Sequence, residues 1–147
     1  MSLQTDIIFV KALKSNSELM AELPAHDIYN PGIVIPKDGK DNTKLPYVIV
    51  CYSGMVNDSD TKDELEGETD QVQIKVEIAA KNREQLAAIA VAVRNTIRDY
   101  FRAADPEDED YNLIPNDYVP SASAVILDDV KPCVWQVLNY ACDTNVD

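Results

Sequence analysis

Arg94, Arg98 and Arg102 recur at intervals of four residues in a chain whose formal net charge is -13. Guanidinium groups one helical turn apart form a cationic ridge, and such a ridge is suited to gripping carboxylates or phosphates through paired N–H donors. Like charges at that spacing repel one another, although a place near a helix C-terminus offsets part of the cost for Arg98 and Arg102. The plain reading is a solvated helix flank. The sharper expectation is that the ridge meets acids of a neighbouring subunit. Those acids are concentrated in two segments. "NDSDTKDELEGETD" (57–70) has seven acids and one lysine, and "DPEDEDYNLIPND" (105–117) has six acids and no base, so the rest of the chain is nearly neutral. Asp58, Asp60, Asp63, Glu64 and Glu66 in the first segment, and Glu107, Asp108, Glu109 and Asp110 in the second, are the candidate partner-facing acids.

Reactive chemistry finds little support in the residue spacings. An EF-hand loop started at Asp58 has Asp60 at its third position, but Lys62 falls at the fifth, Asp63 where glycine is needed, and Thr69 where the bidentate glutamate belongs. Both acidic segments therefore read as solvated loops. His26, the sole histidine, sits beside Pro24 and Ala25, and "CYSGM" lacks the leading glycine of a nucleophile elbow. "KDGK" lacks the glycine spacing and the G-K-[ST] ending of a phosphate loop, and four glycines in all cannot assemble a dinucleotide fingerprint. Paired carboxylates remain open as a chemistry, since acids are plentiful and sequence does not give their separation. The expectation is a protein that is not an enzyme and holds no metal or cofactor.

A chain of 147 residues fits one domain, with composition 46% hydrophobic and 27% charged. No apolar run approaches the ~18 residues of a membrane-spanning helix, and "IIFV" is followed rather than preceded by Lys11 and Lys14, the reverse of a secretory signal. Neither membrane association nor export is expected. Cys51, Cys133 and Cys142 form no C-x-x-C pair and read as buried reduced thiols. The acidity argues against binding duplex DNA through its phosphates.

The elements that must position these groups follow from periodicity. A first helix runs from Thr5 or Asp6 to Lys14 on the spacing of Ile7, Val10 and Leu13, and a second from Glu18 to Leu23, with Ser15 and Glu18 at capping-box spacing and Pro24 as its stop. A turn at Asn30-Pro31-Gly32 and a polar loop around "KDGKDNTK" come next. "PYVIVCYSG" (46–54) reads as a strand buried on both faces. In "QVQIKVEI" the apolar Val72, Ile74, Val76 and Ile78 alternate strictly with Gln71, Gln73, Lys75 and Glu77, a strand with one core face. Asn82, with Gln85 three residues on, caps a helix to Phe101 whose stripe is Leu86, Ile89, Ala90, Val93, Ile97 and Tyr100. "SASAVIL" and "CVWQVLNYA" predict a C-terminal hairpin. The whole predicts a single α+β domain: a mostly antiparallel sheet of four to five strands, an N-terminal helical segment, and one long amphipathic helix on a face.

This succession, with "ALKSNSELMAEL", "IYN", "LPYVIV", an acidic loop, "QVQIKVEIAAKNREQLAAIAVAVRNTI" and a final hairpin, resembles the small tail-terminator or tail-completion proteins of long-tailed bacteriophages and prophages over most of the chain. The segment 105–117 is its least family-like part. The resemblance implies a non-enzymatic subunit that closes with copies of itself into a ring, a hexamer, in solution or only on the tail. That ring caps the tail-tube protein and offers a surface to a head-tail connector protein. It also implies residence in the cytoplasm of the bacterial host and then in the virion tail, with acids facing the ring channel and repelling DNA as it passes. The competing expectations are another neck component, such as a head-closure protein, and a host cytoplasmic binding module or small hydrolase using clustered carboxylates.

Overall fold

The alternation at 71–78 organises the molecule. A computed structural model describes residues 4–23, 28, 30, 45–58, 69–105, 107, 117–128 and 133–145. Within it β2 (Thr69–Ala80) buries Val72, Ile74, Val76 and Ile78 to 1% exposure or less, while Gln71 and Lys75 stand in solvent. Each of those four side chains contributes about 1.5–3 kcal/mol on burial, so a one-residue slip that exchanged the faces would forfeit several kcal/mol.

β2 lies between β1 (Tyr47–Asp58) and β5 (Cys133–Asn145), with Val76 opposite Val50 on one side and Leu138 on the other. β3 (Asp117–Ala122) and β4 (Ile126–Asp128) pair in turn along the far side of β5, giving the order β1-β2-β5-β3 with every pair antiparallel. The fold is thus α+β, with a five-stranded antiparallel sheet and one long helix.

Three features of the sheet depart from the sequence reading. β1 is buried on one face only: Val48 and Val50 are fully enclosed, whereas Ile49 and Cys51 are half-buried on the face that, among the described residues, no helix covers. Cys51 is therefore not a core thiol, although Cys133 and Cys142 are buried. The strand also passes through Gly54 instead of ending there. The register moves from Tyr52 opposite Ile74 to Gly54 opposite Gln73, a bulge at which Ser53 Oγ donates to the Gln73 carbonyl at 3.0 Å. As a result Asp58, Thr69 and Asp70 belong to strands, and the first acidic connection shortens to 59–68. Asp117 likewise opens β3 and is not loop. Finally, the expected strand at 121–127 is broken. The Ser123 N–H donates to the Val137 carbonyl at 2.8 Å while the Val137 N–H turns to Ser123 Oγ at 3.0 Å, so a side chain replaces the backbone partner and separates β3 from β4.

Helices cover the even-numbered face of β2. α1 (Thr5–Lys14) buries Phe9, Val10, Ala12 and Leu13, and Ile7, expected on its core stripe, is 42% exposed because the buried face centres on Phe9 and Leu13. α2 (Ser17–Glu22) is capped by Asn16, not Ser15: Asn16 Oδ1 accepts from Glu18 N and Leu19 N at 3.1 and 3.2 Å, while Ser15 Oγ donates back to the Ala12 carbonyl. The Asn16 amide also donates to Thr96 Oγ1 at 2.8 Å, tying α2 to the long helix α3 (Arg83–Arg102). At the start of α3, Asn82 Oδ1 accepts from Gln85 N at 2.8 Å and Gln85 Oε1 accepts from Lys81 N at 2.9 Å, a capping box shifted back by one residue. α3 then buries Leu86, Ile89, Ala90, Val93 and Ile97, with Tyr100 packed at the margin. An aromatic row links helices to sheet: Phe9 meets Phe101 at 5.4 Å and Tyr140 at 5.2 Å. His26, Pro31 and Gly32 of the expected turn, and the polar loop around 37–44 lie outside the described residues.

Candidate interaction surfaces

α3 and β3 stand side by side at one margin of the sheet and leave a cleft of about 260 Å³ between them. Its helix wall is Val91, Arg94 and Arg98, its strand wall Tyr118 and Pro120, and its floor Tyr140. The amphipathic stripe explains the placement. Val93 and Ile97 point into the core, which turns Arg94 and Arg98 outward along the flank nearest β3. Arg98 Nε donates to Asp99 Oδ1 at 3.1 Å, a pair between exposed neighbours that solvent screens and a better acid can displace. Arg102, one turn further on, is exposed and stands outside the lining of this cleft. The structure therefore brings two of the three ridge arginines to one site.

Tyr140 is the residue that sequence reasoning did not single out. It reads as one apolar member of a strand, and only the pairing of β5 with β3, Pro120 opposite Tyr140 and Tyr118 opposite Cys142, brings it beneath the arginines. Its ring lies 5.8 Å from that of Tyr118. Burial pushes its phenol up to about 12, with Tyr118 and Cys142 adding to the rise and the Arg94 charge opposing it.

A second surface is the face of the sheet formed by the odd-numbered residues of β2 and β5. Among the described residues no helix packs over it. Tyr47, Ile49 and Cys51 of β1 and Trp135 and Val137 of β5 are half-buried there, and Val119 and Ile126 on β3 and β4 are 65% and 39% exposed. Val56, beyond the bulge and opposite Gln71, extends the same face at 61% exposure. Polar Gln73, Lys75, Glu77 and Asn139 cross its middle. The thiol of Cys51 on this face is pushed up, first by partial burial and then by the Glu77 carboxylate, with Lys75 opposing.

The candidate acids are divided. Asp58 ends β1, and Glu107 is exposed, with its N–H donating to Asp105 Oδ1 at 2.9 Å. Asp60, Asp63, Glu64, Glu66, Asp108, Glu109 and Asp110 lie outside the described residues. Among the described residues no group of three or more His, Cys, Asp and Glu side chains is placed to hold a metal ion, and no helix is long and apolar enough to cross a membrane. No family model matches the chain, and no curated protein matches it significantly.

Proposed function

We propose that the protein is a structural subunit of the tail-terminator type, which closes into a hexameric ring on a phage tail tube, stops its growth and presents a surface to the head-tail connector. On this reading it is made in the cytoplasm of the bacterial host and ends in the virion tail, and its work is done by surfaces and not by reactive groups. The observation that carries the reading is the sheet face that no helix covers among the described residues. A row of tyrosine, isoleucine, tryptophan and valine side chains left half-exposed on a rigid antiparallel sheet suits docking against other protein subunits. The resemblance adds to it, because its most telling passages, "PYVIV" and 71–97, fall on β1, β2 and α3, the elements that build that sheet and its cover.

The test mixes the purified protein with its candidate tail-tube protein and follows both by negative-stain imaging and by mass in solution. Rings seated on tube ends are expected. A protein that leaves tube length and tube ends unchanged would remove the reading, and retention on the portal side of the neck would transfer it to a head-closure component.

A further inference from the structure

The cleft between α3 and β3 pairs a cationic wall with an apolar one, in a chain that is otherwise strongly acidic. Arg94 and Arg98 project one helical turn apart, about 6 Å, while Val91, Tyr118 and Pro120 line the space between helix and strand. Val91 is 54% exposed, so the apolar wall is open. β3 is an edge strand, but Pro120 has no N–H to offer an incoming strand, so the site is built to take side chains and not to extend the sheet. Its chemistry fits a segment with carboxylates one or two residues apart and an apolar side chain among them.

The chain carries such a segment between β1 and β2. β1 and β2 pair antiparallel as far as Asp58 opposite Thr69, and the ten residues that join them hold Asp60, Asp63, Glu64, Glu66 and Glu68 with Leu65 in their midst, against a single Lys62. β1 forms the other edge of the sheet from β3. An acidic sequence joining the ends of β1 and β2 and an arginine cleft beside β3 give a single subunit two unlike features. Contact between unlike surfaces of identical subunits is heterologous and head-to-tail, the kind that closes into a ring. We propose that the cleft lined by Arg94 and Arg98 receives the acidic β1–β2 connection, residues 59–68, of a second copy of this chain. The inference rests on the ring reading for its closure and names the contact that makes the ring; Arg102 is left out of it.

A charge-exchange pair tests the contact without any tail protein. One variant carries Arg94→Glu and Arg98→Glu with its acids intact, and the other carries Asp63→Lys, Glu64→Lys and Glu66→Lys with its arginines intact. Wild-type protein should self-associate in sedimentation equilibrium, more weakly as salt rises. Each variant alone should associate roughly a hundredfold more weakly, because like charges then face one another. An equimolar mixture should recover association, since each variant's connection now matches the other's cleft. Far-ultraviolet circular dichroism checks that both variants fold, and the single Arg98→Ala variant supplies a milder perturbation if a double reversal does not. A wild type that stays monomeric at every concentration, variants that associate like the wild type, or folded variants whose mixture stays apart would each overturn the proposal. Insensitivity to the 63–66 exchange alone would also do so, by assigning the cleft to another segment such as 105–117. Wild type that self-associates by this contact but ignores tail tubes would leave the inference standing and remove the terminator reading. Variants that associate like the wild type and still cap tubes would do the reverse, removing the inference and leaving the terminator reading.

Discussion

Tyr140 links the core to the arginine cleft, and its titration is a direct probe of that link. The side chain is 2% exposed, wedged against Phe9 and Tyr118, and holds its proton up to about 12 where an unburied tyrosine loses it near 10.0. Between those values the unfolded chain gives up the Tyr140 proton and the folded one keeps it. The folded state then binds more protons, so stability falls as pH rises. From the two values, Tyr140 removes well under about 1 kcal/mol at pH 10, about 1 kcal/mol at pH 11 and roughly 3 kcal/mol once both states are ionised. For a chain of this length, a loss of about 1 kcal/mol corresponds to a fall of roughly 3 °C in Tm. Tyr140→Phe keeps the ring and deletes the ionisation. The variant should lose about 1 kcal/mol at neutral pH for its missing hydroxyl, then decline less steeply than wild type above pH 10 and draw level with it near pH 11. Urea unfolding by circular dichroism at pH 8, 10 and 11 measures this. The difference between the two proteins isolates Tyr140 from the other tyrosines, including Tyr52, whose phenol burial also pushes up. Parallel stability profiles for the two proteins across that range would refute the reasoning, because the cleft floor would then be open to water.

Three further outcomes follow from the packing. Ile74→Ala, at a site 1% exposed, should cost about 2–5 kcal/mol in urea unfolding, whereas Lys75→Ala on the open face should change stability by less than about 0.5 kcal/mol; equal losses would contradict the assigned register. Asn16→Ala should destabilise by about 1–2 kcal/mol and Asn82→Ala by about 1 kcal/mol by the same measurement, because Asn16 both caps α2 and donates to Thr96 while Asn82 caps α3 alone. Cys51 should be the first thiol alkylated by iodoacetamide in the folded protein, more slowly than a free thiol at pH 8 because its pKa is raised, with Cys133 and Cys142 reacting only on unfolding. Mass spectrometry of the labelled peptides decides this, and early labelling of Cys142 would count against the sheet.

How far the sequence discloses this architecture depends on whether the information is local. The strand at 71–78 is legible because four β-branched side chains fix one face by strict alternation, and α3 is legible because Asn82 and Gln85 mark its start and a stripe of apolar residues its length. Ser15 and Asn16 show where local rules compete. Both can cap, and the choice falls to Asn16 because its amide reaches Thr96, 80 residues away, which no helix-start pattern registers. Gly54 and Ser123 fail for a related reason. Each interrupts a ladder only in the context of its partner strand, and the partners Gln73 and Val137 are set by tertiary pairing. The cleft lies furthest from local information. The arginine ridge is visible as a four-residue repeat, but its value depends on which strand runs beside it, and that is decided by the placement of β3 against β5 rather than against β2. Arg94 and Arg98 acquire apolar company from that pairing, and Arg102, identical in type and spacing, does not. A charge repeat along a helix therefore indicates where a partner's acids could bind, and the neighbouring strand decides which of its members form a site.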